Sequence, residues 1–344
     1  MRAVVLTCKP GARFHFGGIA PDESTWLSSS EEWMRSDTLF SAILNTAAEV
    51  CPPATVEAIV RAFEAGQVRI SSGFYLLQGP NRSIFFLPKP AHYALIVNKD
   101  FDKFHTVKFI SKGVWESGWP WEEWENNCWF LQNGAVVVAK EELPEITDAQ
   151  AASTIRLWTQ EDYPRVKVHA IDRKEGFFYL TTTNICDNTA TLKDGRVHFY
   201  FLLDNDEGED ANEEVLNALE MAIRLLPHRG LGGERSAGCG QVEEVRLEPF
   251  TLRPTFTDST WHCSVSLTSP TEQDLKIAKC YAVLLRGGRR YGGQNKRFAF
   301  VRMLAEGAVF EEQPSGQLPV IGVNLGHQVR RYGKPLCLPV RSFS

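Results

Sequence analysis

No stretch of the chain approaches the roughly 18 apolar residues that a membrane-spanning helix requires. The apolar run near the start, Ala3 to Leu6, is too short for the core of a secretory signal. The eight cysteines, at positions 8, 51, 128, 186, 239, 263, 280 and 337, include no closely spaced pair. That excludes the Cys-x-x-Cys entry of a zinc site, and a disulfide framework is not expected in a chain of this size without export. Reduced, mostly buried thiols are expected instead. There is no GxxxxGK[ST] phosphate loop. A cytoplasmic protein with no metal, no cofactor and no membrane contact is the expectation. With 43% hydrophobic and 23% charged residues over 344 positions, the chain is long enough for two or three domains with a sizeable core.

There is also no overall excess of positive charge: the formal net charge is −5. The charge is unevenly placed, however. From Lys276 onward stand twelve Lys or Arg against three acids, a net of +9, while the preceding 275 residues hold 25 basic and 39 acidic side chains, a net of −14. Such asymmetry points to nucleic-acid contact on the basic side.

The order of elements gives a fold class. Arg2 to Leu6 reads as a strand. Ser36-Asp37-Thr38-Leu39-Phe40 opens a helix whose apolar positions, Leu39, Phe40, Ile43, Leu44 and Ala47, recur at helical spacing, and Pro52-Pro53 ends it. A second amphipathic helix is predicted over Thr55 to Ala65, then strands Val68 to Leu77 and Ser83 to Leu87 around Gly79-Pro80-Asn81. Residues 88–163 break the rhythm and carry six of the nine tryptophans, which reads as an insertion with its own small core. Strands follow at Arg165 to Ala170, Phe177 to Thr183 and Arg196 to Leu203, then a helix at Val215 to Leu226 and a strand at Gln241 to Leu247. Without the insertion this is strand, helix, strand, strand, helix, strand. A shorter unit follows Pro254: strand Thr260 to Leu267, helix Glu272 to Cys280, and strand-like segments at 281–285, 298–304, 318–323 and 335–340. The predicted class is α+β, two tandem ferredoxin-like units spanning 1–250 and 251–344.

Three segments suit phosphate. Gly230 to Gly240 holds five glycines around Glu234-Arg235-Ser236, so its backbone can approach a ligand while Arg235 adds a charged fork. It follows a helix and precedes a strand, the reverse of a dinucleotide-binding turn. Arg286-Gly287-Gly288-Arg289-Arg290-Tyr291-Gly292-Gly293-Gln294-Asn295-Lys296-Arg297 interleaves charge for phosphates with a tyrosine for stacking. Gly326-His327 through Tyr332-Gly333-Lys334 has the same character. The helix opening at Ser36 offers a further anion site, with Arg13 and His15 in the loop before it. The candidate RNA-binding residues are Arg13, His15, Ser36, Gly232, Gly233, Arg235, Ser236, Gly238, Arg286, Arg289, Arg290, Tyr291, Lys296, Arg297, His327 and Tyr332.

These segments, with Ile70 to Tyr75, Phe86 to Pro90 and Lys108 to Ser111 in the same order, make the chain resemble the RAMP proteins of CRISPR effector complexes. Within them it is most similar to the fourth Csm subunit of type III-A effectors. The likeness runs from residue 13 to the C-terminus. It implies a non-catalytic subunit that binds the 5′ repeat-derived tag of crRNA and docks the large palm-domain subunit beside a backbone RAMP subunit. It also implies that the 88–163 insertion occupies the place of a projecting thumb. The alternatives are the equivalent subunit of a type III-B complex and a metal-independent RAMP endoribonuclease maturing crRNA, with His15 as general base.

Overall fold

Burial of the first strand organises everything around it. In this computed structural model, which describes all residues except 18–26, 97–100, 169–174, 190, 193, 206–211, 258–259, 289–297, 325 and 344, β1 (Arg2–Thr7) buries Ala3, Val4, Val5 and Leu6 completely. Four consecutive apolar residues suit a strand covered on both faces. A short β2 (Arg13–Phe14) leads to helix α1 (Ser36–Val50), which buries Leu39, Phe40, Ile43 and Ala47 as its spacing predicts. Helix α2 (Pro53–Ala65) starts with Pro53 in its first turn, where the missing N–H costs nothing, and ends at Gly66 in the left-handed conformation.

The strand expected over 68–77 is broken in two. β3 (Val68–Ile70) and β4 (Phe74–Gly79) flank Ser71-Ser72-Gly73. The Ser72 amide donates to Val265 O and the Gly73 amide to Met34 O, so the backbone leaves the sheet to meet the second half of the chain. β5 (Arg82–Pro88) completes the predicted hairpin.

The insertion does not build a separate core. Its β6 (Phe109–Ser111), β7 (Cys128–Leu131) and β8 (Val136–Ala139) extend the main sheet beyond β5. Trp115, Trp121, Trp124 and Trp158 are buried in the same apolar cluster as β1 and α1. Trp115 Nε1 donates to Pro339 O at 2.9 Å, tying the insertion to the last strand of the chain. A tryptophan-rich thumb is therefore corrected to a sheet extension. The long hairpin lies elsewhere: β9 (Trp158–Val168) and β10 (Glu175–Ile185) are eleven residues each and form a separate three-stranded sheet with β2.

β11 (Arg196–Asn205) and β12 (Glu244–Pro249) give the large sheet its order, β12-β1-β11-β4-β5-β6-β8-β7, antiparallel except for the β6–β8 pair. The helix Glu213–Arg224, capped by the Asn212 side chain, packs against α1 and α2 and buries Val215, Leu219, Ala222 and Ile223. In the second half, β13 (Thr260–Ser264) is followed by the short helix Glu272–Ile277, whose start is closed by Thr271 and Asp274 in a reciprocal capping box. Then come β14 (Ala278–Cys280), β15 (Val283–Arg286), β16 (Val301–Leu304), β17 (Val309–Phe310), β18 (Val320–Asn324), β19 (His327–Arg330) and β20 (Cys337–Arg341). A four-stranded sheet runs β14-β17-β13-β20, and β15–β16 and β18–β19 are two-stranded hairpins. The fold is mixed α+β. Among the described residues, no helix is long and apolar enough to cross a membrane.

Candidate nucleic-acid interface

The glycine loop 230–240 closes onto β2. Leu231 is fully buried and anchors it. The Gly233 amide donates to His15 O at 2.8 Å, the Gly240 amide to Arg13 O at 2.7 Å, and the Leu231 amide to Gly240 O at 2.9 Å. Two glycines make this closeness possible. A Cβ at Gly240 would lie 2.1 Å from Leu231 O, and one at Gly232 would lie 2.7 Å from His15 O; both have positive φ. Held this way, the loop leaves Arg235, Ser236 and Gly238 exposed on a single 3-10 turn. Arg235 Nη1 donates to Arg229 O at 3.3 Å.

The base of the long hairpin stands beside this turn, because β2 pairs with β10 through Phe14–Thr183 and Arg13–Asn184. The Arg13 guanidinium lies 5.0 Å from the centre of the Tyr163 ring on β9. Burial raises the Cys239 thiol, and a Cβ at Gly238 would lie 3.9 Å from Arg13 Nη2, so Arg13 stands at the loop's end. An open cleft of about 700 Å³, lined by Lys9, His228, Gly230, Arg235 and Cys239, joins the glycine turn. A fork-shaped cation and a half-buried arginine stacked on tyrosine suit a phosphate chain with an adjoining base. Tyr163 was not among the residues that sequence pattern selects. Its only signal is position in a β run after Trp158, and Pro164 beside it obscures it.

Four expected RNA contacts are internal instead. His15 is buried, and its Nδ1–H donates to Thr181 O at 2.8 Å beneath the glycine loop. Ser36 is fully buried; its amide donates to Ser72 Oγ at 2.8 Å and its Oγ accepts from the Leu267 amide at 3.0 Å. Tyr332 is fully buried against Phe40 and Phe63, with its hydroxyl accepting from the Ile70 amide at 2.9 Å. Arg286, 5% exposed, grips Asp37 with Nε at 3.0 Å and Nη2 at 2.9 Å, and reaches Glu31 with Nη1 at 3.0 Å.

That last contact belongs to a charged network joining the two halves. Arg331 also bonds Asp37, Arg35 bonds Glu31 at 3.0 Å and Glu306, and Ser72 bonds Glu306. The start of α1 is thus filled by its own carboxylate and two guanidinium groups, so it is not an open anion site. Burial alone would raise the Asp37 carboxyl, but Arg286 and Arg331 outweigh it and hold it at about 2. Part of the basic excess after Lys276 serves cohesion rather than RNA. His327 is exposed at the tip of β18–β19, apart from these contacts. Arg289, Arg290, Tyr291, Lys296 and Arg297 lie outside the described residues.

Residues 257–340 match the family model of the CRISPR Csm4 C-terminal domain. The chain is 26% identical to the Csm4 protein of Methanocaldococcus jannaschii, covering 98% of this chain and 97% of that one. It is 24% identical to the Csm4 protein of Thermococcus onnurineus, over 87% of this chain and 89% of the relative. Among solved structures it is similar to a Csm3–Csm4 subcomplex of the type III-A interference complex, with a TM-score of 0.68, 21% identity, and coverage of 99% and 100%. It is also similar to a Csm1–Csm4 cassette in complex with pppApA, with a TM-score of 0.55, 19% identity, and coverage of 99% and 97%.

Proposed function

We propose that the chain, which is similar over nearly its whole length to Csm4 proteins, is a non-catalytic subunit of a type III-A CRISPR effector that binds the 5′ repeat-derived tag of crRNA and docks the large palm-domain subunit. The observation that carries the RNA reading is the glycine loop clasped to β2, which leaves Arg235 exposed and brings Gly238 next to the Arg13 guanidinium. Full-length similarity to proteins solved as Csm1–Csm4 and Csm3–Csm4 assemblies supports the two protein partners. The fold reading that goes with it is two ferredoxin-like units in tandem. In the first, β12-β1-β11-β4 has the fourth-first-third-second order of a β-α-β-β-α-β unit. In the second, β14-β17-β13-β20 repeats that order, and the β18–β19 hairpin stands where a second helix would.

The endoribonuclease alternative needs His15 as a base with access to a 2′-hydroxyl. Its burial and its Nδ1–H bond to Thr181 O favour a supporting role for the loop. One assay addresses both points. Arg13→Ala and Arg235→Ala should each weaken crRNA binding and lower the slope of log affinity against log salt by about 0.7 or less. Wild type and His15→Ala should both leave repeat RNA intact with and without divalent metal. Unchanged slopes in both arginine variants would remove the phosphate assignment, and cleavage lost only in His15→Ala would establish the enzyme.

A further inference from the structure

A second open cleft, of about 800 Å³, lies on the face of the large sheet where β12, β1, β11 and β4 run side by side. Thr7, Gln78, Arg196, His198, Glu244 and Arg246 line it. Register explains the set. Glu244 and Arg246 are two apart on β12, as are Arg196 and His198 on β11, so each pair shares one face of its strand. Gln78 stands directly across from Arg196 and rises on the same side. Glu243 lines both this cleft and the one at the glycine turn, and its carboxylate lies 3.6 Å from the Lys9 ammonium of the latter. The two clefts therefore meet at one residue.

The polar groups of the cleft are set in advance. His198 is 5% exposed, and its Nδ1 accepts from the Cys8 amide at 3.1 Å. Burial, and then the charges of Arg246 and Arg196, pull the imidazole down to about 4. Near neutral pH the ring is uncharged with its proton on Nε2, a donor fixed by the fold. Arg246 Nη2 donates to Gln78 Oε1 at 2.9 Å, which leaves the Gln78 amide nitrogen to donate in turn. Acceptors line the same cleft, the exposed carboxylates of Asp194 and Glu244. Among the described lining residues, two guanidinium groups meet three carboxylates, so there is no positive excess to hold a phosphate. Apart from Gly79 and Pro80, every one of these residues is polar or charged, which is not the apolar centre of a protein interface.

We infer that this cleft takes an unpaired base of the bound RNA and reads its edge. The inference rests on the functional reading above and deepens it, by giving the tag a place where sequence is recognised and not only charge. A base edge is uncharged and carries N–H donors beside oxygen and nitrogen acceptors. Guanidinium, imidazole N–H and carboxylate groups side by side complement such an edge. Glu243 supplies the continuity, since a strand held at the glycine turn reaches this cleft by crossing it.

The test uses the chain assembled with the large palm-domain subunit. It measures affinity for crRNA and for a series of the same RNA in which one tag base at a time is removed to leave an abasic site. The variants are Arg246→Ala and Glu244→Gln, the second at an exposed position so that a folding defect in the first does not end the test. At one tag position the abasic RNA should bind wild type at least about tenfold more weakly, the effect of losing a good base contact. At that position each variant should bind intact and abasic RNA within about threefold, with an unchanged salt slope because no phosphate contact is lost. Absence of any such position in wild type, or a full abasic penalty in both variants, overturns the inference alone. A reduced salt slope in the variants assigns the cleft to phosphate, and loss of the large subunit with RNA binding intact assigns it to a protein; either also overturns it. Wild type that binds tagged and scrambled RNA alike overturns the functional reading itself.

Discussion

Replacing Asp37 with alanine is expected to lower the unfolding free energy by about 3–5 kcal/mol, the range for removing one partner of a buried ion pair. The carboxylate is fully buried, and the two guanidinium groups that it neutralises, on Arg286 and Arg331, have side chains only 6% and 11% exposed. Without Asp37, both cations would remain inside, with Glu31 the remaining carboxylate bonded to Arg286. Because Asp37 opens α1 while its partners sit in β15 and after β19, the loss falls on the junction between the halves. Urea unfolding followed by tryptophan fluorescence measures it. A loss under about 1 kcal/mol, ordinary for an exposed pair, would show that the network does not hold that junction.

The same residue sets an acid limit. Its folded-state value of about 2 lies below its ordinary value of 3.8. A depressed carboxyl contributes stability above the unfolded value and loses it as pH falls through the folded one. Asp37 should therefore contribute about 2 kcal/mol that disappears between about pH 4 and pH 2. The Asp37→Ala variant should show a correspondingly flatter stability profile over that window.

Gly240→Ala should be the most damaging single change at the candidate interface. The added methyl would sit 2.1 Å from Leu231 O and 2.9 Å from Leu231 N, both backbone atoms with no rotamer to yield. The position also has φ of +80°. Opening the loop would forfeit the Gly240–Arg13 and Leu231–Gly240 hydrogen bonds. Strain and lost bonds together amount to about 2–4 kcal/mol of local stability. Amide exchange in residues 230–240 should accelerate, and crRNA affinity should fall at least about tenfold. Gly11→Ala is the comparison, since it shares a positive φ but has open space around it. Equal effects at the two positions would mean that the clasp onto β2 is not what shapes the loop.

Elements with local causes were legible in the sequence. The apolar spacing of α1 and the glycine loop between helix and strand follow from neighbouring residues, whereas α2, expected from Thr55 with Pro53 as a stop, starts at Pro53 itself. What escaped depends on distant partners. The break at Ser71-Ser72-Gly73 is made by Val265 and Met34. Arg286 read as an RNA ligand because charge counting does not reveal Asp37, 249 positions earlier in the chain, and Tyr332 read as an RNA contact although Phe40 and Phe63 enclose it. The long hairpin was read short because Pro164 looks like a breaker. Among the described residues β9 pairs only with β10, so it is an edge strand, where proline costs no ladder bond.

The central claim is that the chain reads the 5′ tag of crRNA from the glycine-loop face. The most direct measurement is the affinity of the purified chain, assembled with the large palm-domain subunit, for crRNA carrying the intact tag and for the same RNA with the tag scrambled. At one salt concentration, the tagged RNA should bind at least about tenfold more tightly, a difference of roughly 1.4 kcal/mol, and Arg13→Ala/Arg235→Ala should bind both RNAs more weakly. Equal affinity for the two RNAs, unaffected by the arginine substitutions, would contradict the account.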